Sequence, residues 1–277
     1  MGVSVAKIEH TFKRYEKKFL LTVEQYEGIL PRLNEWAVRD EYGLHTICNI
    51  YFDTDNYDLI RTSVKKPPYK EKFRLRSYGI PNGSDPVFAE IKKKFGGVVY
   101  KRRVAATPQE IQAFLNGGEV AHEDLQIQRE IQWFLQIHHP VPKVFIGYER
   151  IAFVGKEDSD LRITFDRNIR WRTDMLDLCA GDSGQPVLDD NRIVMEVKLS
   201  HAAPLWLAAL LSEFQIYPNS FSKYGTCYQR HLAADIFTRR NDYVKQYSEQ
   251  SHHITDISDL SGVRNGSGGA YGTGISV

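Results

Sequence analysis

The segment most informative about the fold is Lys72-Phe73-Arg74-Leu75-Arg76. Its three cations occupy alternate positions, and the two positions between them are apolar. Successive side chains of a β-strand point to opposite faces of the sheet. The alternation therefore predicts a strand with one cationic face and one apolar face.

Three other segments alternate in the same way, with a carboxylate among the cations: RYEKK at 14–18, EIKKK at 90–94 and MEVK at 195–198. An ordinary β-sandwich would bury the apolar faces and leave the charged faces in water. Because so many such segments occur in one chain, a second arrangement also fits, namely a closed sheet whose lumen is lined with cations and a few acids. Such a lumen would suit a polyanion, and its carboxylates could hold a hard divalent ion that bridges phosphate oxygens.

The overall charge argues against a general nucleic-acid binder. The 277 residues include 36 Lys and Arg against 35 Asp and Glu, which gives a net charge of +1, whereas nucleic-acid-binding domains are usually clearly basic. Binding of single strands also needs exposed aromatic rings for base stacking. The aromatic residues here mostly lie on the face opposite the cations or at strand ends, where they are expected to be core: Phe73, Phe95, Tyr100, Phe153 and Phe165. No nucleic-acid partner is therefore predicted.

Cysteine usage and hydropathy predict a cytoplasmic protein. The three cysteines, Cys48, Cys179 and Cys227, are odd in number and widely spaced, which argues for a reducing compartment and against a zinc site. The longest apolar stretch, 204–211, is far shorter than the ~20 residues of a membrane span. Residues 1–10 contain no signal-peptide core. Docking to a separate membrane protein stays open.

The order of predicted elements indicates an α+β protein. Thr22 is expected to cap a helix that runs to about Trp36, although Pro31 should kink or break it. Further helices are predicted at 107–116, at about 203–214 and from about Gly225 past Arg240. Alternation predicts eight strands, at 13–21, 47–53, 72–78, 87–95, 98–105, 144–153, 161–170 and 192–200.

Eight strands with few long helices favour an eight-stranded antiparallel β-barrel tunnel with flanking helices. We assign residues 1–250 to this domain. Residues 251–277 lack apolar periodicity and are predicted to be a disordered tail. The sequence contains neither a GxxxxGK[ST] loop nor a GxGxxG fingerprint, so phosphates would be bound by side chains and not by a glycine-rich loop.

A set of short motifs, taken in order, resembles a known family. Residues 10–235 are similar to VTC domains, the polyphosphate polymerase domains of the vacuolar transporter chaperone type, which belong to the triphosphate tunnel metalloenzyme (CYTH-like) superfamily. Each motif is weak alone, but their order is specific. The motifs are RYEKKF (14–19), IYFDT (50–54), FRLR (73–76), EIKKK (90–94), YERIAF (148–153), MEVK (195–198) and SKY (222–224).

The resemblance implies an eight-stranded tunnel, a triphosphate-binding lumen and dependence on Mn or Mg. It implies that Glu196 binds the metal, and the charged faces add Glu16 and Glu90 as metal ligands. Predicted catalytic residues are Lys18, Arg74, Arg76, Arg150, Arg162 and Glu196. Predicted substrate-binding residues are Arg14, Lys72, Lys92, Lys94, Lys101, Arg103, Lys198 and Lys223.

One departure from the superfamily bears on the reaction. The hydrolase branch usually opens with Glu-x-Glu-x-Lys, whereas this chain has Arg14, Glu16 and Lys18 in that pattern. A pattern that lacks the first of the two acids is more similar to the polymerase branch. The resemblance thus implies transfer of the γ-phosphate of ATP to inorganic polyphosphate, with ATP and polyphosphate as partners. Two alternatives are a triphosphatase and a module that binds polyphosphate or inositol phosphates without turnover.

Overall fold

The computed structural model describes residues 15–96, 98–120 and 125–234. These residues form one antiparallel sheet, with helices packed on its outer face and a short helix at 223–227 that contacts its inner face. The strands are β1 (Tyr15–Leu21), β2 (Ala37–Arg39), β3 (His45–Asp53), β4 (Tyr69–Tyr78), β5 (Val87–Phe95), β6 (Val98–Ala106), β7 (Val141–Gly155), β8 (Arg162–Arg172), β9 (Gln185–Pro186) and β10 (Ile193–Leu199). The helices are α1 (Val23–Leu33), α2 (Asp58–Val64), α3 (Pro108–Leu115), α4 (Leu125–His138), α5 (Leu205–Glu213) and α6 (Lys223–Cys227), with a 3-10 turn (Leu178–Ala180) and a π-helical turn (Tyr228–Leu232).

The sheet has an eight-stranded path in the order β1-β10-β8-β7-β3-β4-β5-β6. The short strands β2 and β9 pair with β7 and β8 beside this path. The α+β class and the eight antiparallel strands are thus confirmed. The sheet is curled, and among the described residues its end strands β1 and β6 do not pair with each other. The curled sheet is therefore a half-barrel.

Two apolar clusters on the outer face hold the helices to the sheet. Under α1 and α5, one cluster includes Phe19 and Phe165 from the strands. Under α3 and α4, the other includes Phe73, whose ring lies 5.3 Å from Phe52 and 5.7 Å from Phe134 between ring centroids. Because Phe73 is fully buried on this side, the pleat turns its neighbours in sequence to the inner face of the curl.

For α1, the predicted N-terminus agrees with the structure better than the predicted C-terminus does. Thr22 caps α1 through a capping box with Gln25, as expected from an N-terminal Thr. The expected extent to Trp36 was wrong, because the helix ends at Leu33, shortly after Pro31.

Helices α2 and α4 were not predicted. Helix α2 has only seven residues, and its cap residue Tyr57 makes no side-chain capping bond, so it carries no start signal. The expected helix near Gly225 begins slightly earlier, at Lys223.

Some predictions cannot be compared with the structure. Residue Arg14, the boundary at residue 250 and the tail 251–277 lie outside the described residues, and the domain assignment stays a prediction. None of the helices in the described part of the chain is both long enough and apolar enough to cross a bilayer.

Candidate functional site

The inner face of the half-barrel carries nearly all the predicted site residues. Strand pairing aligns Lys18 with Glu196, Arg74 with Glu90, and Lys92 with Lys101. Except for Lys101, whose neighbours Tyr100 and Arg102 are exposed, each of these residues is next to a buried apolar residue of the outer face. The predicted residues that the strands turn inward are Glu16, Lys18, Lys72, Arg74, Arg76, Glu90, Lys92, Lys94, Lys101, Arg103, Arg150, Arg162, Glu196 and Lys198.

A first group of charges, the Glu90 cluster, consists of Glu90, Arg74, Arg76 and Lys101. Arg74 donates to Glu90 Oε2 from Nε at 2.9 Å and from Nη2 at 2.7 Å. Lys101 Nζ lies 2.7 Å from Glu90 Oε1, and Arg76 Nη1 lies 3.8 Å from Oε2. Burial raises the pKa of Glu90, but its three cations outweigh that effect and lower the pKa to about 2. Glu90 is therefore an ionised, buried anchor for cations.

Neutral side chains fix the two arginines of this cluster in place. Arg74 Nη1 donates to Tyr51 Oη at 3.0 Å. Arg76 Nε donates to Asn49 Oδ1 at 2.9 Å, while Asn49 Nδ2 donates to the Ile146 carbonyl at 2.9 Å. Each guanidinium is thus oriented by more than one strand, which is the kind of positioning that phosphate recognition requires.

A second group, the Asp166–Glu196 cluster, consists of Asp166, Glu196, Arg150, Lys223 and Lys18. Arg150 forms a bidentate pair with Asp166, with Nε–Oδ1 and Nη2–Oδ2 distances of 2.5 and 2.7 Å. Lys223, at the start of α6, also binds Asp166 and lies 3.7 Å from Glu196 Oε1. Lys18 Nζ lies 3.1 Å from the same oxygen. The cluster joins four strands and a helix around two buried carboxylates.

The electrostatics of the second cluster keep both carboxylates charged. Burial raises the pKa values of Asp166 and Glu196, but the cations around them outweigh it and lower both. Burial lowers the pKa of Lys223, and the two carboxylates then raise it above its ordinary value. Removing one member would weaken the compensation of charges that stay buried, which is destabilising.

Tyr148 links the two clusters. Its hydroxyl accepts a hydrogen bond from Arg76 Nη2 at 3.3 Å. Its ring centroid lies 4.4 Å from Lys223 Nζ and 5.3 Å from Arg150 Cζ. Burial raises the pKa of Tyr148, but these three cations outweigh it and lower the pKa. The phenol thus stands at the centre of a strongly positive region.

No ion pair with a described carboxylate is formed by the inward lysines Lys72, Lys92 and Lys198. Burial is the largest cause of the lowered pKa of each, and it brings that of Lys72 to about 7. Although Lys92 is accessible to solvent, the walls of the curl reduce its hydration. Charge left uncompensated inside a concave surface is a site for anions.

Lys92 also shows how the sheet is curved. The charges of Glu16 and Glu196, on β1 and β10, raise its pKa in opposition to burial, and Lys18 lowers it. Strand β5 lies near the far end of the strand order from β1. The curl therefore brings the two halves of the sheet to face one another across the lumen.

Other predicted residues lie away from the two clusters. Arg162 Nη2 donates to Asp40 Oδ2 at 3.1 Å, and the Arg162 side chain is half exposed. The Arg103 guanidinium lies over the ring of Phe88, at 4.8 Å from its centroid. Lys94 is exposed near the end of β5. The structure does not bring these three cations into either cluster.

The three predicted metal ligands do not form one group. Glu90 belongs to the Glu90 cluster, whereas Glu16 and Glu196 both contact Lys18 Nζ, at 3.4 and 3.1 Å. The described residues contain no set of three or more His, Cys, Asp or Glu side chains that could hold a metal ion by themselves. Glu196 with Glu16 nevertheless fits Mg²⁺ or Mn²⁺ that takes its other oxygens from substrate phosphates and water, as Mg²⁺ commonly does.

Several side chains of the site were not assigned from the sequence. Asp166 shares the inner face of β8 with Arg162, so alternation could have found it. Tyr51 and Asn49 lie on a strand whose charged partners are on β4, and no local pattern marks them. Ser222 caps α6 and accepts a hydrogen bond from Lys72 at 3.1 Å.

Comparison with known proteins gives one family. The model of the VTC domain family matches residues 13–232. No curated protein matches the chain.

Three solved structures are similar to this chain at low identity. A candidate adenylate cyclase from Vibrio parahaemolyticus is 12% identical with a TM-score of 0.41, covering 77% of this chain and 96% of its own. A Pyrococcus horikoshii protein is 12% identical with a TM-score of 0.42, covering 79% and 99%. A candidate adenylyl cyclase from Hippeastrum, described as having a dominant triphosphatase activity, is 15% identical with a TM-score of 0.46, covering 77% and 94%.

Proposed function

This chain belongs to the VTC domain family, and on that premise we propose that it is a polyphosphate polymerase. The reaction we propose is transfer of the γ-phosphate of ATP to the end of an inorganic polyphosphate chain inside the cationic half-barrel, with Mn²⁺ or Mg²⁺ required.

One observation carries the proposal: the inner face presents more cations than its carboxylates compensate. Glu90, Asp166 and Glu196 each anchor two or more cations, while Lys72 and Lys92 form no ion pair with a described carboxylate. A linear polyanion supplies the missing negative charge along such a face. A compact monoanion would use only one part of it.

The chain's residues would act chiefly by positioning and by stabilising charge, which is most of what phosphoryl transfer asks of a protein. Arg74 and Arg76 are held by Glu90, Tyr51 and Asn49 with guanidinium groups available for phosphate oxygens. The lysines that lack ion pairs would hold the acceptor chain. An oxygen of its terminal phosphate attacks the γ-phosphorus, the bond from that phosphorus to the β,γ-bridging oxygen breaks, and ADP leaves.

Glu196, with Glu16 on the neighbouring strand, would hold the divalent ion. When bound, the ion neutralises charge that develops on the transferring phosphate. Lys18 contacts both carboxylates, so it would have to move away or share these carboxylates with the ion. Glu90 is already enclosed by its own cations, and we do not propose it as a ligand.

The direct test is to follow both products from purified protein with ATP and Mn²⁺. We expect polymer that binds a phosphate-chain dye and is degraded by an exopolyphosphatase, with ADP released in equal amount to the phosphate incorporated. Release of orthophosphate without polymer, together with consumption of tripolyphosphate, would instead identify a triphosphatase, in which water replaces the acceptor at the same site.

Glu196→Gln tests the metal assignment. The amide keeps the size of the side chain but binds divalent ions poorly, so we expect turnover to be lost while polyphosphate binding stays equal or becomes tighter. Isothermal calorimetry and the product assay measure the two effects. The matched control is Glu149→Gln, because Glu149 pairs with Arg167 outside both clusters.

The two variants also separate catalysis from binding alone. Unchanged turnover in Glu196→Gln would remove Glu196 as the metal ligand. Binding without turnover in both the wild type and the control would identify a non-catalytic polyphosphate-binding module.

A further inference from the structure

The outer face of the sheet becomes an exposed apolar surface where β4, β5 and β6 end. Four large side chains form this surface, which we name the hairpin patch: Tyr69 (46% exposed), Phe95 (62%), Val98 (48%) and Tyr100 (49%). Single exposed apolar residues are common in proteins, but a contiguous group of them marks an interaction surface.

Strand pairing shows that the patch is continuous. Tyr69 pairs with Phe95, and Phe95 pairs with Val98. The Tyr69 and Phe95 rings lie 6.5 Å apart between centroids. Tyr100 is one step further along the same face of β6, since side chains of one face recur at every second residue.

Helix α4 covers the sheet only up to the edge of the patch. Glu130 on α4 binds Lys93 Nζ at 2.9 Å and lies 3.7 Å from Arg102 Nε. Trp133 and Ile137 follow Glu130 by three and seven residues, which places them on the same side of the helix. They are 63% and 56% exposed, so they extend the patch with a tryptophan and an aliphatic side chain.

Cations outnumber carboxylates around the patch, although Glu130 pairs with Lys93 and Arg102 and Tyr69 Oη donates to Glu71 Oε2 at 2.8 Å. Residues 91–106 contain six Lys or Arg and no Asp or Glu. Of these, Arg102 is exposed on the outer face beside the patch, and Lys94 is exposed on the inner face near the hairpin end. Aromatic side chains together with Lys and Arg are typical of protein surfaces that lie at the headgroup level of a bilayer. Anionic lipids attract such cations by about 1 kcal/mol each.

We propose that the hairpin patch is a peripheral docking site for an anionic lipid surface. The apolar and aromatic side chains enter the headgroup region, and the surrounding cations face the lipid phosphates and carboxylates. Association of two copies through the edge of β6 is a weaker alternative, because Lys101, Arg102 and Arg103 would face like charges, and cations on an edge strand oppose strand addition.

Vesicle sedimentation tests the proposal with the full chain. We expect binding to phosphatidylcholine vesicles that contain about one-third phosphatidylserine, little binding to phosphatidylcholine alone, and weakening by high salt. The triple variant Phe95→Ser/Val98→Ser/Tyr100→Ser should reduce partitioning by on the order of tenfold or more. ATP turnover in solution should be unchanged, because these side chains lie on the outer face.

A matched control removes exposed apolar side chains elsewhere. Leu205 and Tyr217 are 89% and 72% exposed beside the other apolar cluster, so Leu205→Ser/Tyr217→Ser should bind vesicles as the wild type does. Equal binding by the triple variant, or equal loss in the control, would overturn the proposal. So would a wild-type dimer, seen by light scattering, that the triple variant converts to monomer without any binding to vesicles.

Discussion

Lys72 should take up a proton when polyphosphate binds. Its ammonium donates to Ser222 Oγ at 3.1 Å and lies among Lys70, Lys92, Lys18 and Arg74. Burial, followed by these like charges, lowers the pKa of Lys72 from 10.5 to about 7. At pH 8 about nine in ten molecules should therefore carry a neutral amine in the empty protein. A phosphate chain beside it favours the charged form, so binding should draw in up to about one proton.

Lys72→Met should also stabilise the empty protein. At about 1.4 kcal/mol per pKa unit, the lowered pKa corresponds to a destabilisation of the folded protein by at most about 5 kcal/mol. Water that reaches the partly exposed side chain reduces this destabilisation to roughly 2–3 kcal/mol. The unfolded chain binds a proton that the folded protein lacks between pH 7 and 10.5. The free energy of unfolding of the wild type should rise with pH across that window, and the variant should lose this rise and be more stable at pH 7.

Isothermal calorimetry measures the proton uptake that accompanies binding. The enthalpy of tripolyphosphate binding at pH 8, measured in two buffers with different ionisation enthalpies, gives the number of protons taken up. Lys72→Met should take up fewer protons than the wild type and bind more weakly, while urea denaturation should show its higher stability. Lys17→Met is the matched control, because Lys17 is exposed on the outer face of β1, next to the inward Lys18. The reasoning is refuted if Lys72→Met takes up as many protons as the wild type, or is less stable at pH 7.

The Glu90 cluster gives two further predictions. Arg74→Ala should slow turnover by on the order of 10²-fold and also lower the free energy of unfolding by about 1–3 kcal/mol, since Oε2 of buried Glu90 loses two hydrogen bonds. Steady-state kinetics and urea denaturation measure the two effects, and an unchanged rate would place Arg74 outside the reaction. Because the folded pKa of Glu90 is lowered to about 2, its ionic stabilisation is present above the ordinary pKa of 4.5 and disappears as the pH falls through about 2. Glu90→Gln should flatten that part of the acid-denaturation profile followed by circular dichroism, and a profile parallel to that of the wild type would contradict the assignment.

Much of the fold could be predicted from short-range patterns. The alternation at 72–76 placed Phe73 in the core and Arg74 on the inner face, because the pleat of a strand fixes side-chain direction with a period of two. Thr22 marked the start of α1, because an N-cap hydroxyl satisfies backbone donors within its own turn. Such features depend on neighbours in sequence, and they can be found there.

The partition of the site into two clusters could not be predicted in this way. Glu90, Glu196 and Glu16 looked equivalent as acids among cations, yet only the last two share a lysine. Asp166 proved to be the main partner of Arg150 and Lys223, although Lys223 is 57 residues away along the chain.

Local alternation along the strands is therefore enough to predict which residues face the lumen and which face the core. Which charges meet there was decided by strand order and by the curl that brings Lys92 on β5 near Glu16 on β1. The physical reason is that the local backbone sets the direction of a side chain, whereas the curvature of the sheet comes from twist and helix packing summed over all eight strands.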